Sequence, residues 1–318
     1  MTLIRFERSR RRKALLIANP KAGAANAGLA LAPAVEALSG AGFETLAFTT
    51  CCRGDAFELS REYGGECERL VCIGGDGTVN EVVRGVMMLE KRPSIGYIPM
   101  GSTNDFAKAL GLPKQRRKLI ETAVAGEETP IDVGCFNGRH YACLASFGAF
   151  TDIGYSTDQS AKNVWGFMAY LGGGLSALAN IKPIRVNVTV NGRTYSERLA
   201  FASVSNTPSI IGVINYNRKR KIDLNDGLFE VMLIRYPENA LDLSRIAHAL
   251  TTGDFGCDLM QVFVSDRVRF EPAEPVDWML DGEHAEAWHE AEIRNVHSAI
   301  KMMLPKRKGS GGLLPKGV

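Results

Sequence analysis

The sequence predicts an α/β protein with an N-terminal parallel sheet covered by helices and a C-terminal, mostly antiparallel β-sandwich. Before residue 126, apolar strand patterns alternate with amphipathic helix patterns, whereas short period-two strand patterns dominate after it. Glycine-rich turns follow several strands of the first part. The length of 318 residues also favours two domains, because a single core of this size is uncommon.

The first predicted domain, residues 13–129, consists of alternating strands and helices. Apolar runs that end in turn residues predict strands at Ala14–Asn19, Phe43–Phe48, Arg69–Ile73 and Ile95–Ile98. Amphipathic stretches predict helices at Gly28–Leu38, Asp55–Tyr63, Val79–Leu89, Asn104–Leu110 and Lys114–Ala125. Such alternation predicts parallel strands, and ligands of parallel sheets bind at the carboxyl ends of the strands.

The second predicted domain, residues 130–294, is rich in strands. Strands are expected at Ile131–Phe136, Tyr141–Ser146, Ile184–Asn191, Leu199–Val204, Leu228–Arg235, Val262–Phe270 and Val276–Leu280. Asn191-Gly192 predicts a hairpin, and helices are expected at Asn163–Asn180 and Leu241–Leu250. Ile293–Leu304 predicts a last strand, but periodicity does not decide whether residues 295–305 return to the first domain.

Composition indicates a globular protein of the cytoplasm. Hydrophobic residues make up 45% of the chain and charged residues 23%. No apolar run approaches the ~20 residues that span a bilayer, and no apolar signal segment follows the N-terminal basic residues. The seven cysteines include no CxxC pair, which favours reduced thiols in an intracellular protein.

The two ends of the chain are basic, and residues 1–12 and 306–318 are predicted to be flexible tails. Residues 1–13 contain six Lys or Arg and one Glu, and residues 301–318 contain five Lys or Arg and no acid. Basic tails favour peripheral association with an anionic membrane, although a solvated tail explains them equally well. Nucleic-acid binding is not expected, because no basic patch is interleaved with aromatic residues.

The segment Gly74-Gly75-Asp76-Gly77-Thr78 joins a buried strand to a helix. A tight glycine turn before a helix offers unpaired backbone N–H groups to an anion. We therefore expect nucleotide phosphates at this turn, with Asp76 near a magnesium ion. The turn lacks the third glycine of a dinucleotide fingerprint, and the chain has no P-loop motif.

Two further turns follow predicted parallel strands, at Asn19-Pro20-Lys21-Ala22-Gly23 and at Gly101-Ser102-Thr103-Asn104. Lys21 is suitably placed to meet a phosphate. One of Ser102, Thr103 and Asn104 is expected to cap the next helix, which is compatible with a nucleotide contact. The three turns should meet along one edge of the sheet.

Two acidic segments of the second domain suit other roles. Asp223 and Asp226 lie three residues apart in a glycine-terminated turn, and carboxylates with backbone carbonyls suit magnesium. Asp281 and Glu283 follow a strand, where a carboxylate can act as general base toward a hydroxyl. Each segment also has the composition of an ordinary turn.

Five motifs together resemble the diacylglycerol kinase catalytic family, which groups soluble bacterial diacylglycerol kinases with sphingosine and ceramide kinases. They occur in the family's order over roughly residues 13 to 304, and are NPKAG at 19–23, GGDGTVNEV at 74–82, GSTNDFA at 101–107, DLNDGLFEV at 223–231 and DGE at 281–283. Residues 146–157 and 162–175 resemble the middle region of the bacterial branch.

The resemblance implies a nucleotide-binding domain like that of NAD kinases and phosphofructokinases, with ATP and a lipid meeting between the two domains. It implies that ATP contacts Asn19, Lys21, Gly74, Gly75, Asp76, Gly77, Thr78, Gly101, Ser102 and Thr103. It implies a magnesium site at Asp223, Asp226 and the carbonyl of Leu228, which Asp76 approaches through water. Asp281 matches the family's general base, and Glu283 is its neighbour.

The implied activity is transfer of the γ-phosphoryl group of Mg-ATP to a lipid hydroxyl, with diacylglycerol as first choice. The alternatives are a kinase that acts on another lipid alcohol such as a sphingoid base, an NAD kinase, and a catalytically silent module that binds a lipid or a nucleotide. The segment Ala24-Ala25-Asn26 departs from the small and basic residues common in the family. It is therefore undefined which side chain, if any, would contact the phosphates together with Lys21. The sequence does not fix the oligomeric state, and a homodimer is compatible with it.

Overall fold

The computed structural model describes residues 12–23, 28–149, 181–207, 209–210, 214–215 and 223–306. The elements up to residue 125 are β1 (Arg12–Ala18), α1 (Gly28–Gly40), β2 (Phe43–Thr49), α2 (Asp55–Tyr63), a 3-10 turn (Gly64–Glu66), β3 (Arg69–Gly74), α3 (Asp76–Met87), β4 (Ser94–Pro99), α4 (Asp105–Ala109) and α5 (Arg116–Ala125).

The remaining elements are mostly strands. They are β5 (Glu127–Phe136), β6 (Arg139–Tyr141), β7 (Leu144–Gly148), β8 (Ile184–Val190), β9 (Arg193–Ser205), β10 (Ser209–Ile210), β11 (Ile214–Asn215), β12 (Phe229–Arg235), α6 (Ala240–Thr252), β13 (Met260–Ser265), β14 (Arg267–Pro272), β15 (Val276–Leu280), β16 (Glu283–Trp288) and β17 (Ala291–Leu304).

The N-terminal strands form a parallel sheet in the order β2-β1-β3-β4. Residues 69–74 of β3 are buried throughout, as expected for a central strand with helices on both faces. One face packs on α2 and α3 through Leu15, Val82 and Val86, and the other packs on α1 and α5. The predicted parallel α/β architecture is confirmed.

The C-terminal strands are antiparallel and enclose a second core. β7, β9 and β8 are adjacent, and β9 also pairs with β12. The indole of Trp278 is 1% exposed and packs between Phe136, Phe147 and Phe270 at ring-centroid distances of 4.9, 4.7 and 5.3 Å. The predicted antiparallel, sandwich-like second part is confirmed.

The last strand, β17, belongs to both sheets. Its first half pairs with β14, at Arg267 opposite Arg294, and its second half lies parallel to β4, at Met302 opposite Ile95. β5 runs antiparallel along most of its length, and the register shifts between Val296 and Ile300. β17 therefore connects the parallel and the antiparallel strands within one sheet.

Two predictions about elements need correction, and a third lies outside the described residues. The single strand expected over Val262–Phe270 is two strands, because β13 pairs with β12 whereas β14 pairs with β8 and β17. β1 begins at Arg12, so this last residue of the predicted N-terminal tail lies in the sheet. The helix expected at Asn163–Asn180 lies outside the described residues, as do most of both tails. None of the described helices has the length and apolar character needed to cross a membrane.

Candidate active site

The turns after β3 and β4 lie in direct contact. The amide of Met100 donates to the carbonyl of Gly74 at 2.7 Å. A Cβ atom on Gly75 would lie 3.2 Å from the Cα of Gly101, and one on Gly101 would lie 2.7 Å from the Cα of Gly75. Only a residue without a side chain allows this approach, which explains the glycine at position 101 in particular.

The turn after β1 completes the group. The amide of Asn19 donates to the carbonyl of Ile73 at 2.8 Å, and its side-chain Nδ2 donates to Thr78 Oγ1 at 3.2 Å. Gly23 has φ +59, and a Cβ there would lie 2.4 Å from the carbonyl oxygen of Met100. The three predicted turns therefore meet at one edge of the sheet, with Lys21 exposed to solvent.

Asp76 joins the second and third turns through its carboxylate. Its Oδ2 accepts from Thr103 Oγ1 at 2.9 Å, and its Oδ1 accepts from the amide of Phe106 at 3.2 Å. The expectation that a residue of 102–104 caps α4 through its side chain is wrong. Asn104 adopts φ 50 and bonds back to both backbone groups of Gly101, so Asp76 satisfies the amide in the first turn of α4.

The first turn of α3 is open to a ligand. No described side chain caps this 12-residue helix at Gly75, so its first amides remain available to an anion. Gly77 lies exposed in that turn, and a Cβ there would meet nothing within 4 Å. The protein itself does not require glycine at position 77, which fits close approach of a ligand to the backbone.

Asp281 and Gly282 form the two-residue turn between β15 and β16. Their φ angles are +49 and +82, and Leu280 pairs with Glu283 across the turn. Positive φ at both central residues is the signature of a type I′ hairpin turn, in which Asp and Gly are favoured. Together Asp281, Gly282 and Glu283 are here called the acidic hairpin.

The carboxylate of Asp281 is fixed by three consecutive backbone amides. Its Oδ2 accepts from Ala142 at 2.6 Å, and its Oδ1 accepts from Cys143 and Leu144 at 2.8 Å each. Burial raises the pKa of Asp281 from 3.8 to about 6, although the three amides act in the opposite direction. An acid with a pKa near 6 is suited to accept a proton at neutral pH.

The carboxylate of Glu283 meets three arginines. Its Oε1 lies 3.0 Å from a guanidinium nitrogen of Arg53, and its Oε2 lies 3.4 Å from Arg84 and 3.2 Å from Arg139. The side chain of Glu283 is 13% exposed. Arg53 precedes α2, Arg84 lies on α3 and Arg139 begins β6, so three distant segments converge on this carboxylate.

Cys143 lies between the acidic hairpin and the glycine turns. Burial raises the pKa of its thiol well above the usual value, and the charges of Asp281, Asp76 and Asp105 raise it further. The amide of Cys143 donates to Asp281, and its side chain packs against an apolar cluster that contains Val79 of α3 and Phe106, whose amide donates to Asp76. This packing brings the acidic hairpin close to the GGDGT turn.

The Asp223–Leu228 turn presents oxygen atoms at the surface. Asp223 Oδ1 accepts from the amide of Asn225, and Asp226 Oδ1 accepts from the amide of Leu228, so the other oxygen of each carboxylate is outside these turn bonds. The carbonyl of Leu228 accepts from Asn295 Nδ2 at 3.2 Å. This donor set suits a hydrated magnesium ion. The described residues include no cluster of three or more His, Cys, Asp or Glu around a cation position.

Asp132 was not among the site residues predicted from the sequence. It lies on β5 and binds the Asp223–Leu228 turn through hydrogen bonds. It is 0% exposed and accepts from the amides of Gly227 and Ser298 at 2.7 Å each and from His297 Nδ1 at 2.9 Å. Its own amide donates to the carbonyl of Leu224. A single aspartate within the apolar strand β5 was the sequence signal for such a buried role.

Two family models match the chain. Residues 13–136 match the diacylglycerol kinase catalytic domain, and residues 146–303 match the YegS C-terminal NAD kinase beta sandwich-like domain. A solved structure of a diacylglycerol kinase from Bacillus anthracis str. Sterne superposes with a TM-score of 0.71 at 22% identity. That alignment covers 93% of this chain and 98% of the other, and it supports the fold.

Curated relatives match along nearly the whole chain. The diacylglycerol kinase of Bacillus subtilis (strain 168) is 31% identical over 300 residues, which cover 93% of this chain and 98% of that protein. The diacylglycerol kinase of Staphylococcus carnosus (strain TM300) is 30% identical over 301 residues, with coverages of 93% and 96%. Because the similarity extends over both parts of the fold, the chain belongs to the diacylglycerol kinase family of lipid kinases.

Proposed function

We propose that this protein transfers the γ-phosphoryl group of Mg-ATP to the free hydroxyl of diacylglycerol and forms phosphatidic acid. The observation that carries the proposal is that one apolar cluster, with Cys143 packed against it, brings two groups together. These are the uncapped N-terminus of α3 at the GGDGT turn, which suits a triphosphate, and Asp281, whose raised pKa suits a general base. The relatives named as diacylglycerol kinases support the choice of acceptor.

The glycine turns would hold the nucleotide. The free amides of the first turn of α3 would bind phosphate oxygens, with Gly74, Gly75, Gly77 and Thr78 providing backbone close to them. Asn19 is held against Thr78 and is positioned to bind at the same edge. Lys21 would neutralise phosphate charge, while Gly101, Ser102 and Thr103 would border the pocket.

Magnesium would neutralise charge on the phosphates and strengthen the second domain. The exposed oxygens of Asp223 and Asp226, with the carbonyl of Leu228, would bind one hydrated ion, and Asp76 would contact it through water. Asp76 is already fixed by Thr103 and Phe106, so its carboxylate would need no rearrangement. Asp132 would hold the Asp223 turn in place from β5.

Asp281 would act as the general base. It would take the proton of the acceptor hydroxyl as the hydroxyl oxygen forms its bond to the γ-phosphorus. The bond from that phosphorus to the β–γ bridging oxygen would break, and ADP would leave. Phosphoryl transfer needs little covalent chemistry from a protein, so alignment of the two substrates would supply most of the rate.

We further propose that residues 13–129 bind the nucleotide, residues 130–294 bind the lipid, and the protein works in the cytoplasm at the membrane surface. The acceptor lies within a membrane, whereas ATP is soluble. A peripheral enzyme would therefore take both substrates at the interface. The basic tails would contribute attraction to anionic lipids.

The test is transfer of label from γ-labelled Mg-ATP to a panel of lipids in mixed micelles. The panel contains diacylglycerol, a sphingoid base and a monoacylglycerol, with NAD as a soluble acceptor. We expect label on diacylglycerol, and loss of that label in Asp281→Asn. Label on the sphingoid base alone would overturn the acceptor assignment, and label on NAD alone would overturn the lipid kinase assignment.

A further inference from the structure

Three arginines surround one carboxylate at the acidic hairpin. Arg53, Arg84 and Arg139, here called the arginine cluster, all lie within 3.4 Å of Glu283 oxygens. Three guanidinium groups carry about fifteen N–H donors, whereas one carboxylate offers about four acceptor positions. The cluster keeps a net charge near +2 after Glu283 is counted, with donors to spare.

Arg139 shows most clearly that the cluster is incomplete. Its Nε atom is buried and has no hydrogen-bond partner within the described part of the chain. Burial first, and then the charge of Arg84, lower the pKa of Arg139. Holding the like charges of Arg84 and Arg139 close together is unfavourable. A second anion at the exposed part of the guanidinium groups would offset this repulsion.

The cluster is accessible from outside the protein. The side chain of Arg53 is 71% exposed and that of Arg139 is 35% exposed, while Glu283 is 13% exposed beneath them. An anion can therefore reach the guanidinium groups without any rearrangement of the fold. Glu283 lies two residues after Asp281 in the same turn, so the cluster lies beside the proposed base.

The phosphates held at the glycine turn do not account for this cluster. Arg84 lies eight residues beyond Asp76 on α3, which places it about 12 Å along the helix from the glycine turn. Phosphates held by the amides of that turn would therefore lie away from Arg84, and only the transferred γ-phosphoryl group would extend toward Asp281. Guanidinium groups match phosphate oxygens with paired N–H bonds, so phosphate is the anion that this geometry favours.

We propose that the arginine cluster binds the phosphate of an anionic phospholipid headgroup beside the acceptor hydroxyl. Glu283 holds the three guanidinium groups in position and leaves their outward donors for the lipid phosphate. The choice of a lipid as the phosphate carrier rests on the proposed lipid kinase function. The site would seat the hairpin on an anionic membrane, with Asp281 near the neutral acceptor.

Vesicle binding without ATP tests this proposal independently of catalysis. The protein is mixed with phosphatidylcholine vesicles that contain or lack phosphatidylglycerol, and bound protein is measured by flotation. Arg139→Lys keeps the charge but loses the paired N–H bonds, so we expect affinity for the phosphatidylglycerol vesicles to fall about tenfold. Arg53→Lys, at a mostly exposed side chain that tolerates substitution, should show a fall in the same direction.

Arg117→Gln is the matched control. Arg117 is 91% exposed on α5 and pairs with Glu121, away from the hairpin. Its substitution removes a full charge and should leave vesicle binding unchanged. Melting curves of all variants confirm that each is folded. Inorganic phosphate should release bound protein more effectively than sodium chloride at equal ionic strength.

Two results would overturn the proposal. Wild-type affinity in both Arg53→Lys and Arg139→Lys would show that membrane binding depends on diffuse charge and not on paired bonds to phosphate. Competition by inorganic phosphate without preference for phosphatidylglycerol vesicles would assign the site to free phosphate. A protein that binds vesicles as expected yet phosphorylates no lipid would contradict the proposed function and leave the phosphate site standing.

Discussion

The proposed nucleotide-binding edge and the acidic hairpin are built in different ways. The proposed edge is made from three glycine-containing turns, each directly after a parallel strand, and the backbones of these turns approach one another closely. The acidic hairpin depends on charged side chains and amides from segments around residues 53, 84, 139, 142–144 and 281–283. The first can be recognised in a linear pattern, whereas the second exists only after folding.

The two regions also tolerate change differently. Close approach between turns leaves no room for a Cβ at Gly101, because the Cα of Gly75 would lie 2.7 Å away. At the hairpin, the constraint is charge and hydrogen bonding around Asp281 and Glu283. Steric substitutions should therefore damage the first region, and changes of charge should damage the second.

The largest expected effect comes from Asp281→Asn. Removing the charge while keeping a similar shape should lower kcat by ~10² to 10⁴-fold, the range for loss of a general base. Nucleotide affinity should persist, because the glycine turns are untouched. Steady-state kinetics with Mg-ATP and diacylglycerol, together with calorimetric ATP titration, measure both quantities.

Asp277→Asn, on the strand β15 that leads into the acidic hairpin, is the control. Asp277 is 63% exposed and pairs with His284, so its substitution should leave kcat near wild type. Near wild-type turnover in Asp281→Asn would remove the general-base role. Equal losses in the two variants would indicate general damage to the hairpin.

The next largest effect is expected for Asp132→Ala, which tests the support of the Asp223–Leu228 turn. The substitution leaves the amides of Gly227 and Ser298 without their acceptor inside the protein. We expect a loss of about 2–3 kcal/mol in the free energy of unfolding, the cost of buried unsatisfied donors. Denaturant unfolding measures it, and the exposed Glu274→Ala serves as control with a change within about 0.5 kcal/mol. A loss of that small size in Asp132→Ala would contradict the supporting role.

Gly77→Ala separates protein packing from ligand approach. A Cβ at position 77 meets no protein atom within 4 Å, and alanine favours a helix, so thermal stability should be kept or raised. If phosphate oxygens approach this backbone, the added methyl group should lower ATP affinity about tenfold, which corresponds to about 1.4 kcal/mol of binding free energy. Thermal melting and ATP titration give the two readouts.

The matched control for that substitution is Gly40→Ala. Gly40 lies at the C-terminal end of α1, where an added Cβ also meets nothing within 4 Å. It should show unchanged ATP affinity. Full ATP affinity in Gly77→Ala would mean that phosphates do not approach the first turn of α3.

The smallest effect near neutral pH concerns the titration of Asp281. Its pKa in the ligand-free protein is raised to about 6 by burial, and the ionised form is the base, so kcat/KM should be constant well above pH 6. Below pH 6 the protonated fraction grows, and kcat/KM should fall about tenfold per pH unit. The pH profile of kcat/KM, measured at substrate concentrations below KM, tests this. An inflection near pH 4 would show that burial does not raise the pKa of the base.

A substantial part of the molecule could be predicted from the chain. The positions of β1, β3 and β4 follow from apolar runs that end in glycine or proline, because buried parallel strands carry that pattern. The turn at Asp281-Gly282 follows from the preference of positive φ for Asp and Gly. These features depend on residues adjacent in sequence.

Other features were missed because their cause is not local. The break between β13 and β14 arises from a change of strand partners, and a continuous apolar pattern does not record it. The cap of α4 comes from Asp76 on another helix instead of from residues 102–104. Arg53 and Arg84 look like ordinary surface charges until Glu283 is placed between them.

By itself the sequence determined the two-part architecture, the three glycine-containing turns and the family resemblance, because steric preferences and hydrophobic periodicity act over a few residues. The tertiary structure alone decided that β17 joins both sheets, that Asp132 holds the Asp223 turn, and that three arginines meet at Glu283. The contacts of Asp132 with Gly227, of the arginines with Glu283 and of Met302 with Ile95 join residues 95 to 230 positions apart, and only packing of the two cores brings them together.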